Sequence, residues 1–190
     1  MQATGCDTIA DIVQNSFESG ATEVRLEMIR RGARFEVVVQ DNGCGMDEAA
    51  RRKALDPFWT DGRKHPGRKV GLGLPYLKQA AEQYGGEFEL ASEPGRGTTV
   101  RFVFDLSNVD APPLGDVPAM LSALMAWPGE RELTVRREED GRAYEVRRTE
   151  LEAALGGMKD AGSLALMKEF FSSNEEEMRS EVQDGKTDIG

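Results

Sequence analysis

The apolar positions fall into runs whose spacing changes several times along the chain. Ile9, Ile12, Val13 and Phe17 recur at helical spacing, which predicts a helix over residues 7–19 with one apolar stripe, ended by Gly20-Ala21. Val24, Leu26 and Met28 then alternate, Arg31-Gly32 turns, and Phe35, Val37 and Val39 alternate again. Period two on both sides of a turn predicts an antiparallel hairpin with one buried face, stopping at Asp41-Asn42-Gly43. Residues 47–55 predict a short helix. A second helix follows the GLGLP turn, with Leu77, Ala80, Ala81 and Tyr84 on its apolar side, Pro75 in its first turn and Gly85-Gly86 at its end. Between the two helices lies DPFWTDGRKHPGRK, a polar stretch rich in Gly, Pro and basic residues, which reads as a functional lid or a disordered segment. EFELAS and TTVRFVFDL predict two more strands joined by EPGRG. Together these elements predict an α/β (α+β) two-layer sandwich, a mixed and mainly antiparallel sheet with helices on one face.

Past Asn108 the pattern changes. VDAPPLGDVP reads as a linker, so the chain divides into residues 1–106 and a small α+β extension over 107–190. The extension predicts a short helix at 120–127, a hairpin turning at Asp140-Gly141, and a helix from Thr149, where Thr149 and Glu152 match a capping box. A last helix over 163–182 carries Leu164, Leu166, Met167, Phe170 and Phe171, then a glutamate-rich face.

Composition narrows the partners. The 190 residues carry a formal net charge of -10, heaviest toward the C-terminus, which argues against direct binding of duplex nucleic acid. Cys6, Cys44 and a lone histidine, His65, cannot make a typical structural zinc site. No apolar run approaches the ~20 residues a membrane span needs. The N-terminus lacks the apolar core of a signal peptide, so a reduced, cytoplasmic protein is expected.

Three separated motifs bear on chemistry. Asp11, Asn15 and Glu18 project from one face of the first helix, opposite much of the apolar stripe. An acid and a carboxamide four apart can orient a water and coordinate Mg²⁺, although the same pattern also describes a solvated face. In DNGCGMD, Asp41 can accept a hydrogen bond from an exocyclic amine such as that of adenine, and Gly43 and Gly45 admit a flat ring close to the backbone. A plain turn satisfies the same residues. GLGL at 71–74 opens a helix, and backbone N–H groups there suit phosphate. No GK[ST] follows, and no third glycine or βαβ unit makes it a dinucleotide fingerprint.

The order and spacing of these motifs resemble the GHKL superfamily, which includes gyrase, heat-shock chaperones, histidine kinases and mismatch-repair MutL. The resemblance runs from residue 7 to about 106 and implies a Bergerat fold with ATP and Mg²⁺ as ligands. IVQNSFESGA is similar to the MutL-like first motif, and the stretch from PFWTDGRK through GLGLPYLKQAAEQYGGEFELASEPGRGTTVRF to the histidine-kinase second half. By position, Asp11 stands where these ATPases hold a water-activating glutamate, Asn15 at the magnesium-binding asparagine, and Glu18 at an acidic position near ribose and adenine. Asp41 matches the adenine-reading aspartate, with Gly43, Gly45 and Met46 around the base. Gly71, Leu72, Gly73 and Leu74 match the phosphate-side turn, and Thr98 the threonine supporting the adenine site. Lys64 or Lys69 can reach the γ-phosphate, or the two belong to a solvated basic loop.

Two departures qualify the expected activity. Asp replaces Glu at the base position, which sets the carboxylate back by one methylene, while a general base must come within roughly 3 Å of its proton or act through one water. The family also places at least one element before its first motif, so either the chain is a fragment or a partner or the extension covers that surface. The expectation is an ATPase or a kinase acting in trans on a protein partner, since His65 lies in the lid rather than on a dimerising hairpin. The alternative is a nucleotide-responsive interaction module with little or no turnover. No membrane association is expected.

Overall fold

The structure is a computed structural model, and it describes residues 4–57, 73–158 and 160–180. Lys64, Lys69, Gly71 and Leu72 lie outside the described residues. In chain order the elements are α1 (Gly5–Glu18), β1 (Glu23–Arg31), β2 (Arg34–Asp41), α2 (Glu48–Ala54), α3 (Gly73–Gln83), β3 (Glu87–Glu93) and β4 (Gly97–Asp105). The extension adds α4 (Val117–Met125), β5 (Glu132–Glu139), β6 (Arg142–Arg147), α5 (Arg148–Leu155) and α6 (Ala161–Ser180). No helix among the described residues is long and apolar enough to cross a membrane.

The strands form one six-stranded sheet in the order β3-β4-β2-β1-β5-β6, antiparallel except where β1 and β5 run parallel. Register carries the hydrophobic alternation across the whole sheet. Val39 pairs with both Leu26 and Val100, Val37 with both Met28 and Phe102, and Leu26 continues the row into Val135 and then Val146. These residues line one face, where α1, α3 and α4 bury Ile9, Ile12, Val13, Phe17, Leu77, Leu121 and Leu124 against them. The result is a two-layer α/β sandwich with a largely antiparallel sheet.

The opposite face carries a mosaic of paired charges. Arg101 reaches Glu36 at 2.6 Å, Glu87 at 2.9 Å and Glu89 at 3.1 Å, and Arg34 reaches Glu87 at 3.0 Å. The Arg34 and then the Arg101 guanidinium hold the Glu87 carboxyl below the usual range. Pairing side by side suits a solvated sheet face, where exposed ion pairs contribute little to stability.

The join between the two sequence segments is closely packed. The N–H groups of Gly5 and Cys6 open α1 and would otherwise lack partners; they donate to the carbonyls of Pro113 at 2.9 Å and Leu114 at 2.7 Å. The stretch read as a linker therefore closes one end of α1, and α4 packs along that helix. Glu132 N–H donates to the Thr22 carbonyl at 2.8 Å, which starts β5 beside β1.

Helix α5 begins differently from the capping-box expectation. Its N-cap is Arg147, which makes no side-chain cap, and Thr149 already lies inside the helix. The Thr149 hydroxyl donates to Glu132 Oε2 at 2.6 Å instead of accepting a backbone N–H of its own helix. The capping box of this chain lies at Thr4 and Asp7, where each side chain accepts from the other residue's backbone N–H.

Candidate functional site

Helix α1 carries two kinds of side chain on two faces. Ile9, Ile12, Val13 and Phe17 are buried, while Asp11, Asn15 and Glu18 are exposed along one line of the helix. The first two lie one turn apart, and a Cβ added to Gly73 at the start of α3 would stand 4.0 Å from Asn15 Nδ2. Asn15 therefore faces the first turn of α3, which begins within the GLGL motif. Gly73 and Leu74 are half-buried there.

Asp41 ends β2 on the core-facing side, directly opposite Thr98 in the adjoining strand. Only 7% of its surface is exposed, and donors surround its carboxylate. Oδ1 accepts the Gly43 N–H at 2.8 Å and the Thr98 N–H at 3.2 Å, and Oδ2 accepts the Ser16 hydroxyl at 2.6 Å. A carboxylate offers about four lone-pair positions, so three donors leave room for one more on Oδ2.

The loop after Asp41 is held by the β3–β4 turn. Met46 N–H donates to Ser92 Oγ at 2.8 Å, the Ser92 and Thr98 hydroxyls meet at 2.9 Å, and Gly95 N–H donates to the Cys44 carbonyl at 2.8 Å. On the other side Cys44 N–H donates to the Ser19 carbonyl at 3.2 Å. The glycines have a reason within the chain itself: a Cβ on Gly43 would overlap Ser19 Oγ, and one on Gly45 would overlap the Glu93 carbonyl oxygen. Gly45 also takes a φ of +65°, where a side chain costs energy. Asn42 points away from this loop and accepts the Thr22 and Glu23 N–H groups at 2.9 and 3.0 Å, tying the end of β2 to the start of β1.

Two residues of this arrangement escaped the motif reading, Ser16 and Ser92. Ser16 had a usable signal, since it falls on the apolar stripe of α1, three residues after Val13 and four after Ile12. A polar residue on a buried stripe needs a partner. Ser92 had none, because its partners come from the loop after β2 and the start of β4.

The sequence of this part of the chain belongs to a known family. The chain is a member of the histidine kinase-, DNA gyrase B-, and HSP90-like ATPase family, whose profile matches residues 6–108, more than half of its length. Among curated relatives, it is 33% identical over 89 residues to the alginate biosynthesis sensor protein KinB of Pseudomonas aeruginosa, covering 47% of this chain and 14% of that one. It is also 33% identical over 107 residues to the virulence sensor protein BvgS of Bordetella bronchiseptica, covering 55% of this chain and 8% of that one. The chain thus spans only a small part of the length of these relatives. The solved catalytic domain of histidine kinase ThkA is 22% identical with a TM-score of 0.39, covering 52% of this chain and 62% of that one.

Proposed function

We propose that this chain binds ATP with Mg²⁺ and uses it, as an ATPase or as a kinase acting in trans on a protein partner. The observation that carries this reading is the Asp41 carboxylate. It is buried, ringed by three donors, and has acceptor capacity left for a single further donor such as the adenine amine. Gly43, Gly45, Met46 and Thr98 form the surroundings of the base, and Glu18 lies on the ribose side. Asn15 supplies a hard oxygen ligand for magnesium. Among the described residues no three acidic, histidine or cysteine side chains converge on one point, so the ion relies on phosphate oxygens and waters for its other ligands. Gly73 and Leu74 would lie beside the phosphates, where the start of α3 favours negative charge, and the motif assigns Gly71 and Leu72 to the same turn; Lys64 or Lys69 would neutralise the γ-phosphate unless the two belong to a solvated basic loop.

Bound Mg²⁺ would supply charge neutralisation on the phosphates, and the protein would supply position. Asp11, one helical turn before Asn15, is the base candidate for an attacking water or hydroxyl. Asp11→Asn is expected to lower turnover at least tenfold with little change in ATP affinity, since it keeps the shape and removes the basicity. Equal losses in both would rule out the base role. Asn15→Ala is expected to abolish Mg²⁺-dependent ATP binding in calorimetry, and unchanged affinity would overturn the site.

A second reading, a nucleotide-responsive module, is favoured by one observation: Pro113 and Leu114 close the end of the helix that carries Asn15. Displacement of α1 on binding nucleotide would then pass into the extension, which would be the partner-binding region. Measurable ATP binding with no phosphate release and no phosphorylated partner would select this reading over the first.

A further inference from the structure

Ser16 is the one polar side chain that α1 turns fully inward beside the site. It is 5% exposed, and its hydroxyl donates to Asp41 Oδ2 at 2.6 Å. The two backbone donors on Asp41, from Gly43 and Thr98, both converge on Oδ1. They anchor one oxygen and leave the plane of the carboxylate to be set by what holds the other. The terminal torsion of an aspartate is broad and roughly two-fold, so a single anchored oxygen does not define that plane. The oxygen with spare acceptor capacity is the one Ser16 touches.

We infer that Ser16 is a specificity-determining positioning residue, aiming the Asp41 carboxylate at the amino group of a 6-aminopurine nucleotide. This rests on the reading of Asp41 as the base-contacting residue. The hydroxyl gives its hydrogen to Oδ2 and so fixes the direction of the remaining lone pair of that oxygen. Its place in the helix adds a second consequence. Ser16 follows Asn15 directly, and consecutive helical side chains point about 100° apart. One helix thus meets the nucleotide at two places, Asn15 toward metal and phosphate and Ser16, through Asp41, toward the base.

The test compares two nucleotides on the full chain: ATP and purine riboside 5′-triphosphate, which lacks only the 6-amino group. Wild type is expected to prefer ATP. Ser16→Ala is expected to weaken ATP about tenfold, the size of a hydrogen bond to a charged group, and to leave the 6-unsubstituted nucleotide unchanged. Ser16→Thr, which restores a hydroxyl, is expected to recover the preference. Ser16→Cys keeps the side-chain volume with a weaker donor, and it serves as the packing-neutral variant should the alanine form melt early. In an Asp41→Asn background Ser16→Ala is expected to add no further loss. The Mg²⁺ dependence of binding is expected to stay as in wild type throughout.

An equal loss for both nucleotides in Ser16→Ala and Ser16→Cys would show a merely structural role and overturn the inference. An intact ATP preference in both would do the same. Should wild type itself fail to distinguish the two nucleotides, the reading of Asp41 falls first and takes this inference with it, an outcome separable from the others because no variant is needed to see it.

Discussion

Gly45 shows how narrowly the loop around the base is built. With φ at +65° and the Glu93 carbonyl oxygen against its α-carbon, an added methyl group meets backbone rather than a movable side chain. Gly45→Ala is expected to cost about 1–3 kcal/mol in denaturant unfolding from backbone strain alone, and to weaken ATP binding further because the loop must move off the β3–β4 turn. Ser92→Ala removes the acceptor of the Met46 N–H and the partner of the Thr98 hydroxyl. Its expected signature is a smaller stability loss, about 1 kcal/mol, with faster exchange of the Met46 amide in hydrogen-exchange measurements. At this scale the sequence was readable wherever a residue acts alone. Asp41 announced itself by ending a strand in front of two glycines. Ser92 did not, because nothing within its own strand distinguishes a serine that bonds a distant amide from one that faces water.

The elements follow their local patterns most closely where both ends are punctuated. Helix α1 has Thr4 and Asp7 at its start and Gly20, at φ +80°, just past its end. The Asp140-Gly141 turn takes positive φ at both residues, 48° and 89°, as a two-residue hairpin turn requires. Helix α5 forms where Thr149 marks it, one residue earlier, but without the capping box, because Thr149 bonds Glu132 across the fold. The caps also make a pH prediction. Hydrogen bonds from Thr4 hold the Asp7 carboxyl below its ordinary 3.8, and the Ala119 N–H, then Lys168, do the same for Asp116. A carboxyl with a depressed folded pKa stabilises the fold above its unfolded value and loses that contribution as pH falls through the folded one. Acid unfolding should therefore steepen below 3.8, and Asp116→Asn should flatten the curve in that window. Cys6, also on α1, behaves in the opposite way. Burial, and then the nearby Asp7, Asp116 and Glu175, push its thiol up to about 12. A thiol reagent at pH 8 is expected to modify exposed Cys44 alone in the folded protein and both cysteines after unfolding.

Across the whole molecule the least legible feature was the pairing of β1 with β5, since long-range register has no local signature. Alternation did hint at one consequence. Leu133 and Val135 face the core, so Arg137, two further on, must face it too, and it is fully buried there. Its guanidinium lies 3.2 Å from the Glu175 carboxylate of α6, which also accepts the Tyr144 hydroxyl at 3.0 Å. Burial, then the Glu175 charge, push the Tyr144 phenol up. Arg137 also pairs with the Glu139 carboxylate and donates to the Glu138 carbonyl, so Glu175→Ala leaves it partly compensated and is expected to cost less than the ~3–5 kcal/mol of a stranded buried charge. The measurement is equilibrium unfolding followed by α6-specific amide exchange.

That same parallel pairing bears on the order of events during synthesis. Glu23 faces Glu132, so one edge of β1 must wait for a strand made more than a hundred residues later. Its other edge is satisfied at once by the hairpin with β2. A ribosome elongating at roughly 5–20 residues per second leaves that open edge waiting for several seconds, with its backbone donors and acceptors available to any passing strand. Slow translation between residues 42 and 131 should therefore lower the soluble yield, while co-expressed chaperones that shield strand edges should restore it.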